Sequence, residues 1–165
     1  MSSLKFKFPS GGRIKLSTVG GVNPNIDLRY YKGDEEPVGN PSSWQVLNTN
    51  TFYNVSSNQY FHVMKTSDNS PVSLSRNENN YYKFVTDGGE VEVKGTLSSI
   101  IGKYNSYQFF KLFDDCRNLT KAGELDLKLS GTTIPSYAFA YMFNGCVNLS
   151  QAPDLPASSL ADSCY

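Results

Sequence analysis

Charge is scarce in this sequence and balanced in sign. The 165 residues include 15 basic and 15 acidic side chains, so the net charge at pH 7 is +0, and charged residues make up 18% of the chain. An average soluble domain carries roughly 25%. Composition therefore provides no basic surface that would attract nucleic acid or anionic lipid. We expect neither among the partners of this protein.

Cysteine, histidine and long apolar runs are also few. The three cysteines are Cys116, Cys146 and Cys164, an odd number that cannot form a complete disulfide framework. None belongs to a C-x-x-C pair of the kind that binds zinc. The only histidine, His62, has no nucleophile or metal-ligand motif beside it, so we interpret it as structural. No apolar run reaches the roughly 18 residues of a membrane span, and we expect no cofactor, metal or membrane insertion.

Neighbouring carboxylates are the only candidates for acid–base chemistry. They lie at Asp34–Glu36 and at Asp114–Asp115. We interpret both groups as solvated, with a weak calcium site as the alternative for the first. A glycoside hydrolase would need paired carboxylates in a cleft. An enzyme stays open as an alternative, but no catalytic residue or motif argues for one, and we expect a non-enzymatic protein.

Residues 1–95 have the pattern of antiparallel strands. Leu4–Phe8 and Arg13–Leu16 alternate apolar and polar residues on either side of the turn Pro9–Gly12, which predicts a hairpin. Tyr60–Lys65 is the most strand-like run in the middle of the chain. Short strands with a turn signal every eight to twelve residues are typical of a β-sandwich.

The second half of the chain contains an internal repeat. The frame F-x-x-C-x-N-L-x-x-A-x-x-L recurs after thirty residues, and residues 132–139 align with residues 158–165, so a third unit has begun when the chain ends. Self-similarity at such a period is typical of solenoids, in which stacking of the units supplies the core. The repeat-structural positions are Phe113, Cys116, Leu119, Phe143, Cys146 and Leu149.

Each unit is predicted to run from a short helix through a turn to a strand. Apolar residues have helical spacing in residues 106–113 and 134–142. We interpret the two repeated cysteines as a buried ladder. Asn118 and Asn148 fit the glycosylation sequon, but because both occupy the same repeat position we interpret them as structural.

Three segments resemble the recurrent motifs of BspA-like leucine-rich-repeat surface proteins: Tyr141–Leu149, Ala152–Ala157 and Ser159–Tyr165. Ser73–Phe84 and the exit at 95–101 are similar to the β-domain that precedes such repeats in gut anaerobes and their phages. The resemblance implies surface display and adhesion, and no chemistry. Such relatives carry a secretion leader, whereas this N-terminus has no apolar h-region, which favours a phage-encoded virion protein.

Tyrosines near the predicted repeat helices are the candidate binding residues. Exposed tyrosine rings stack on sugars or anchor protein interfaces at low entropic cost, and the alternative is that they belong to the core. The candidates are Tyr104, Tyr107, Tyr137 and Tyr141.

We therefore predict a mainly β protein with short helices. An antiparallel β-sandwich would occupy residues 1–95, and the start of a leucine-rich-repeat solenoid, about two units and the beginning of a third, residues 96–165. We expect a binding or adhesion protein at an extracellular surface, on a virion or a bacterial cell, that recognises a host-surface protein or glycan. The alternative is an assembly subunit without an external ligand. Because terminal repeats need a cap, we expect either that the sequence is a truncated piece of a longer repeat protein or that another chain, or a second copy, covers the solenoid end.

Overall fold

The computed structural model describes residues 3–23, 26–33, 43–66, 75, 77–101, 106–128, 133–155 and 159–165. In these ranges the chain is mainly β, with a 3₁₀ turn at Leu97–Ser99 and no α-helix. The strands are β1 (Leu4–Phe8), β2 (Gly12–Val19), β3 (Leu28–Gly33), β4 (Gln45–Val46), β5 (Tyr53–Val55), β6 (Gln59–Lys65), β7 (Tyr81–Gly88), β8 (Val91–Thr96), β9 (Leu119–Asp126), β10 (Thr133–Ile134) and β11 (Ser159–Leu160).

Two sheets pack against each other. The larger has the order β4-β3-β6-β1-β8-β9 and the smaller the order β5-β2-β7, while β10 and β11 form a separate parallel pair. Within the two larger sheets the neighbours are antiparallel except β8 and β9, which are parallel. The ring of Phe6 in β1 lies 4.7 Å from that of Phe84 in β7. The core of this region therefore lies between the two sheets.

The predicted hairpin between β1 and β2 is wrong, because the turn that joins these strands changes sheets. β1 pairs with β6 and β8, whereas β2 pairs with β5 and β7. The turn from β7 to β8 makes the same change of sheet, and the two turns touch where Gly89 N donates to Gly11 O at 3.3 Å. Gly88, at φ 101, has a backbone conformation that favours glycine. Alternation of apolar and polar residues predicted these strands but not their partners. The apolar side of each strand faces the core whether the two strands pair in one sheet or lie in opposite sheets.

A single apolar core extends from the sheets into the repeat region. Leu4 and Phe84 belong to the same buried cluster as Phe113, Cys116 and Ala122. β8 and β9 hydrogen-bond directly across the predicted boundary between residues 95 and 96. The division into two domains therefore stays a prediction. The repeat region packs directly on the sheets and extends the larger one through β9.

The short helices predicted in residues 106–113 and 134–142 are wrong. Both segments are successions of turns, in which amides bond to carbonyls three residues back, as Leu112 N does to Phe109 O at 3.1 Å. Every fourth residue is left-handed, which interrupts an α-helical ladder. Because the backbone conformation repeats every four residues, apolar residues spaced about four apart still lie on one side of the segment. This explains why the apolar spacing in the sequence resembles that of a helix. The left-handed residues are Tyr107, Lys111, Asp115, Tyr137, Tyr141 and Gly145.

Candidate binding surface

The two repeat units stack in parallel and in register. We call residues 106–128 unit 1 and residues 133–155 unit 2. The backbone amides of unit 1 donate to carbonyls of unit 2 at every second residue, with N···O distances from 2.7 to 3.3 Å. The five donors and their acceptors are Tyr107 to Ser136, Phe109 to Ala138, Lys111 to Ala140, Phe113 to Met142, and Asp115 to Asn144.

The repeated cysteines add a column of thiol donors to this ladder. Cys116 Sγ donates to Phe84 O and Cys146 Sγ to Phe113 O, both at 3.1 Å. Loss of solvation on burial is the main cause that raises the pKa of the Cys116 thiol to about 11 and that of Cys146 to about 12. Both thiols are therefore protonated at neutral pH and are structural donors rather than nucleophiles.

The repeated asparagines form a second column. Asn118 Nδ2 donates to Gly89 O at 2.8 Å, and Asn148 Nδ2 donates to Arg117 O at 2.6 Å. Each amide thus satisfies a carbonyl of the layer beneath it. A glycan on either side chain would compete with this bond, so the geometry explains the sequons structurally.

Tyrosines of the two units lie together on one side of the stack. The rings of Tyr107 and Tyr137 are 4.7 Å apart and inclined by only 5°, and Tyr141 is 61% exposed. Phe110 meets Tyr107 and Tyr141 edge to face. We call this set the aromatic face; its members are Tyr81, Tyr107, Phe110, Tyr137 and Tyr141.

Of the rings in the aromatic face, Tyr141 is exposed and Tyr107 and Tyr137 are half-buried, whereas Tyr81 and Phe110 are buried at 8% and 4% exposure. Lys111 Nζ lies 5.6 Å from the ring centroids of Tyr81 and Phe110, which adds a cation over the aromatic surface. Lost solvation, with smaller effects of Tyr137 and Glu78, raises the pKa of Tyr107. Such rings bind the apolar side of sugars or anchor a protein partner.

Three of the four predicted tyrosines lie on this face, and Tyr104 lies outside the described residues. Sequence reasoning missed Tyr81 and Phe110. The thirty-residue spacing of Tyr107 and Tyr137 was a signal for their stacking. Tyr81 belongs to β7, and only the tertiary fold brings that strand to the repeats.

Asp114, one of the carboxylates that we predicted to be solvated, forms an ion pair and a hydrogen bond within the fold. Its side chain is 12% exposed and lies 3.2 Å from Lys83 Nζ, and its Oδ1 accepts Asn144 Nδ2 at 2.8 Å. The solvated interpretation of Asp114 is therefore wrong. Asp115 is half exposed, and the Arg117 guanidinium, 2.7 Å away, lowers the pKa of that carboxyl. Asp34–Glu36 lie outside the described residues.

His62 is fully buried in the larger sheet. Its Nδ1 lies 3.0 Å from Ser3 Oγ, and the rings of Tyr31, Trp44 and Tyr60 surround it. This environment makes it a packing residue. Within the part of the chain that the structure describes, no three His, Cys, Asp or Glu side chains are grouped as metal ligands.

The free end of unit 2 is apolar. A cavity of about 290 Å³ opens there, and two of its lining side chains, Leu155 and Tyr165, are exposed. Its walls also include Leu127, Phe139, Met142, Phe143 and Pro153, together with Tyr141 of the aromatic face. An exposed group of large apolar side chains is typical of an interaction site.

Comparisons with family models, curated proteins and solved structures find no match to this chain. No helix among the described residues is long and apolar enough to cross a membrane. The features of the described residues that bear on function are the aromatic face and the apolar end.

Proposed function

We propose that this is a non-enzymatic binding protein of an extracellular surface that adheres to a host-surface protein or glycan through its aromatic face. The observation that carries the proposal is the stacked pair Tyr107 and Tyr137, whose ring planes are nearly parallel, together with the exposed ring of Tyr141 on the same face. Aromatic rings supply large contact area with few rotatable bonds, so a ligand loses little of its binding energy to ordering them. The rigid ladder beneath holds the rings in place.

The proposal includes the fold of residues 96–165 as the opening of a BspA-like leucine-rich-repeat solenoid. The in-register parallel stacking of units 1 and 2 and the repeated thiol and amide columns support it. Extended repeat surfaces bind partners by area. A virion protein and a bacterial surface adhesin both fit this architecture.

The test is binding of fluorescently labelled protein to a panel of gut anaerobes. We expect saturable binding to particular strains and about a tenfold or greater loss for Tyr141→Ala, as for an anchor residue at an interface. Phe52→Ala is the matched control, because Phe52 is also an exposed aromatic side chain but packs on Arg13 and Lys15 of the smaller sheet. Periodate treatment of the cells removes a glycan ligand, whereas protease treatment removes a protein ligand.

Equal losses for Tyr141→Ala and Phe52→Ala would contradict the role of the aromatic face. Absence of binding to every strain, with the protein folded by circular dichroism, would contradict adhesion. In that case the periodate and protease treatments give no information about the type of ligand.

A second candidate, a subunit of an assembly without an external ligand, is favoured by the apolar end. Leu155 and Leu160 are 60% and 58% exposed, and because part of each side chain is already buried, covering the rest at an interface contributes roughly 2–4 kcal/mol. Sedimentation would show a stable oligomer for the unmodified protein and a monomer for Leu160→Asp. A monomer for both would exclude self-assembly through this end.

A further inference from the structure

The corner formed by β7, the turn after it and β8 lies beneath unit 1 in the same way as unit 1 lies beneath unit 2. We call residues 81–96 layer zero. We propose that layer zero is the cap of the stack: it closes the side of unit 1 that faces the sheets, and its backbone carbonyls recognise the repeat frame and set the register of the first unit. This role of the sheet region is separate from the adhesion proposed for the aromatic face.

The backbone and ring contacts of layer zero repeat those between the two units. Phe84 N donates to Leu112 O at 2.8 Å, as Phe113 N donates to Met142 O at 2.9 Å. The ring of Phe84 stacks on that of Phe113 with 20° between the planes, and Phe113 stacks on Phe143 at the same angle. Phe84 therefore has the place in layer zero that Phe113 has in unit 1.

The strands continue in the same register. Glu92 in β8 pairs with Lys121 in β9, and Lys121 forms a bridge to Gln151 of unit 2. Both pairings are parallel, whereas β8 pairs with β1 in the antiparallel direction. The change from the antiparallel sheet to the parallel stack therefore takes place at layer zero.

Side-chain donors of both units point to the layer beneath. A thiol, an amide and a hydroxyl of each unit donate to backbone carbonyls there, at distances from 2.6 to 3.2 Å. The donors and the residues whose carbonyls accept are Cys116 to Phe84, Asn118 to Gly89, Thr120 to Val91, Cys146 to Phe113, Asn148 to Arg117, and Ser150 to Thr120. Layer zero thus accepts from unit 1 the same three kinds of bond that unit 1 accepts from unit 2.

Layer zero does not itself carry the repeat frame. The third and fifth residues after Phe84 are Asp87 and Gly89, where a unit has its cysteine and its asparagine. The lowest layer needs neither side chain, because these bonds run from each unit to the layer beneath it. Since the acceptors are backbone carbonyls, the side chains of β7 and β8 are free to differ from the frame. This explains why the repeat in the sequence begins only with unit 1.

The other edges of layer zero are already paired. β7 pairs with β2 along its whole length, and β8 pairs with β1. Asp87, at the position of the missing cysteine, instead lies 2.6 Å from the Arg13 guanidinium of β2. A strand edge without a partner is open to pairing with other chains, and the terminal layer of a repeat stack has to be closed. The two sheets meet both requirements at this side of unit 1.

Amide hydrogen exchange, followed residue by residue by NMR, tests the cap in the full protein. Asn118→Ala removes the bond to Gly89 O and the acceptor of Thr86 Oγ1. We expect exchange about tenfold faster or more throughout units 1 and 2, because both depend on seating on layer zero. The amides of Phe84 and Val91, which donate to unit 1, should exchange faster as well. Amides that join β1 to β6 should change less than about threefold, since these strands pair without the units.

Asn148→Ala is the matched control, because it removes the same kind of bond one layer higher. It should speed exchange in unit 2, and at the unit 1 amides that donate to unit 2, by about threefold to tenfold. The amides of Phe84 and Val91 should keep their rates. The proposal is overturned if the two variants act equally on these two amides, if unit 1 stays protected in Asn118→Ala, or if β1 and β6 lose as much protection as the units.

A deletion tests whether layer zero recognises the frame itself. Removing residues 107–136, one full period of thirty residues, brings the frame of unit 2 to the place of unit 1 in the chain. The amides of Phe84 and Val91 should stay protected, since unit 2 supplies the same thiol, amide and hydroxyl donors. Adding Asn148→Ala to the shortened chain should then speed their exchange about threefold to tenfold, an effect that it lacks in the full chain.

Loss of protection at Phe84 and Val91 in the shortened chain, with or without loss in β1 and β6, would show that layer zero needs unit 1 in particular, and would overturn recognition of the frame. Absence of any effect of Asn148→Ala there would do the same. None of these outcomes bears on binding of Tyr141 to host cells, so the two proposals fail independently.

Discussion

Unit 1 and unit 2 carry the same sequence frame in different surroundings. Unit 1 lies between the β-sheets and unit 2, whereas unit 2 contacts unit 1 on one side and, among the described residues, residues 159–165 on the other. Phe113 is fully buried and stacks between Phe84 and Phe143, while Phe143 is half-buried. The frame thus specifies which side chain lies at each position of the stack, and the neighbouring layer determines how much that side chain stabilises the protein.

The largest expected difference concerns this phenylalanine position. Phe113→Ala should lower the free energy of unfolding by about 3–5 kcal/mol, because it removes a ring from a closed core and leaves a cavity. Phe143→Ala should lower it by only about 1–2 kcal/mol, since solvent already reaches one side of the ring and no closed cavity remains. Urea unfolding followed by circular dichroism measures both. Equal losses would mean that the open end is covered in solution.

A smaller difference is expected from pH at the thiol column. The Cys116 thiol has a pKa of about 11 in the folded protein and an ordinary value of 9.0. The unfolded chain therefore loses this proton first, so the contribution of Cys116 is complete below pH 9 and is lost as pH rises towards 11. Between pH 8 and pH 10 the loss should be on the order of 1 kcal/mol.

Urea unfolding at the two pH values checks this expectation, with Cys116→Ala as the reference for all other titrating groups. The variant is less stable at both pH values but should show a weaker dependence on pH. The same dependence in both proteins would show that Cys116 ionises as easily in the folded chain as in the unfolded one.

A difference of similar size is expected at the left-handed position that Asp115 and Gly145 share. Gly145→Ala should destabilise by about 1–2 kcal/mol, because φ is 73 and the added Cβ would lie 3.2 Å from Asp115 Cα. Asp115→Gly, at φ 61, should change stability by about 0.5 kcal/mol or less, since relief of backbone strain offsets the loss of the exposed pair with Arg117. Thermal unfolding midpoints distinguish the two. A large loss for Asp115→Gly would mean that the ion pair stabilises the turn.

Local patterns predicted much of the fold and part of the candidate surface. Alternation located β1 and β2 because one side of each strand faces the core, and strand propensity located β6, which is buried on both sides. The thirty-residue frame located the buried thiols and the structural asparagines. Apart from β6, each of these predictions depends on a period that repeats within the chain.

The errors share a different origin. A succession of turns with a left-handed residue at every fourth position has almost the same apolar spacing as a helix. Periodicity alone therefore could not distinguish the two structures in residues 106–113. Asp114 looked solvated because its partner, Lys83, lies 31 residues away. The wrong hairpin between β1 and β2 arose because apolar alternation is equally satisfied when the two strands face each other across the core.

The sequence by itself determined the repeat, its register and the chemistry of each column, because equivalent residues in stacked units must meet equivalent neighbours. Only the tertiary structure decided where the stack begins, which strand supplies Tyr81 to the aromatic face and which leucine stays exposed. The physical reason is that the burial of a side chain in the stack depends on whether another layer covers it. A frame that reads the same at Leu125 and Leu155 cannot show that one is covered and the other is open.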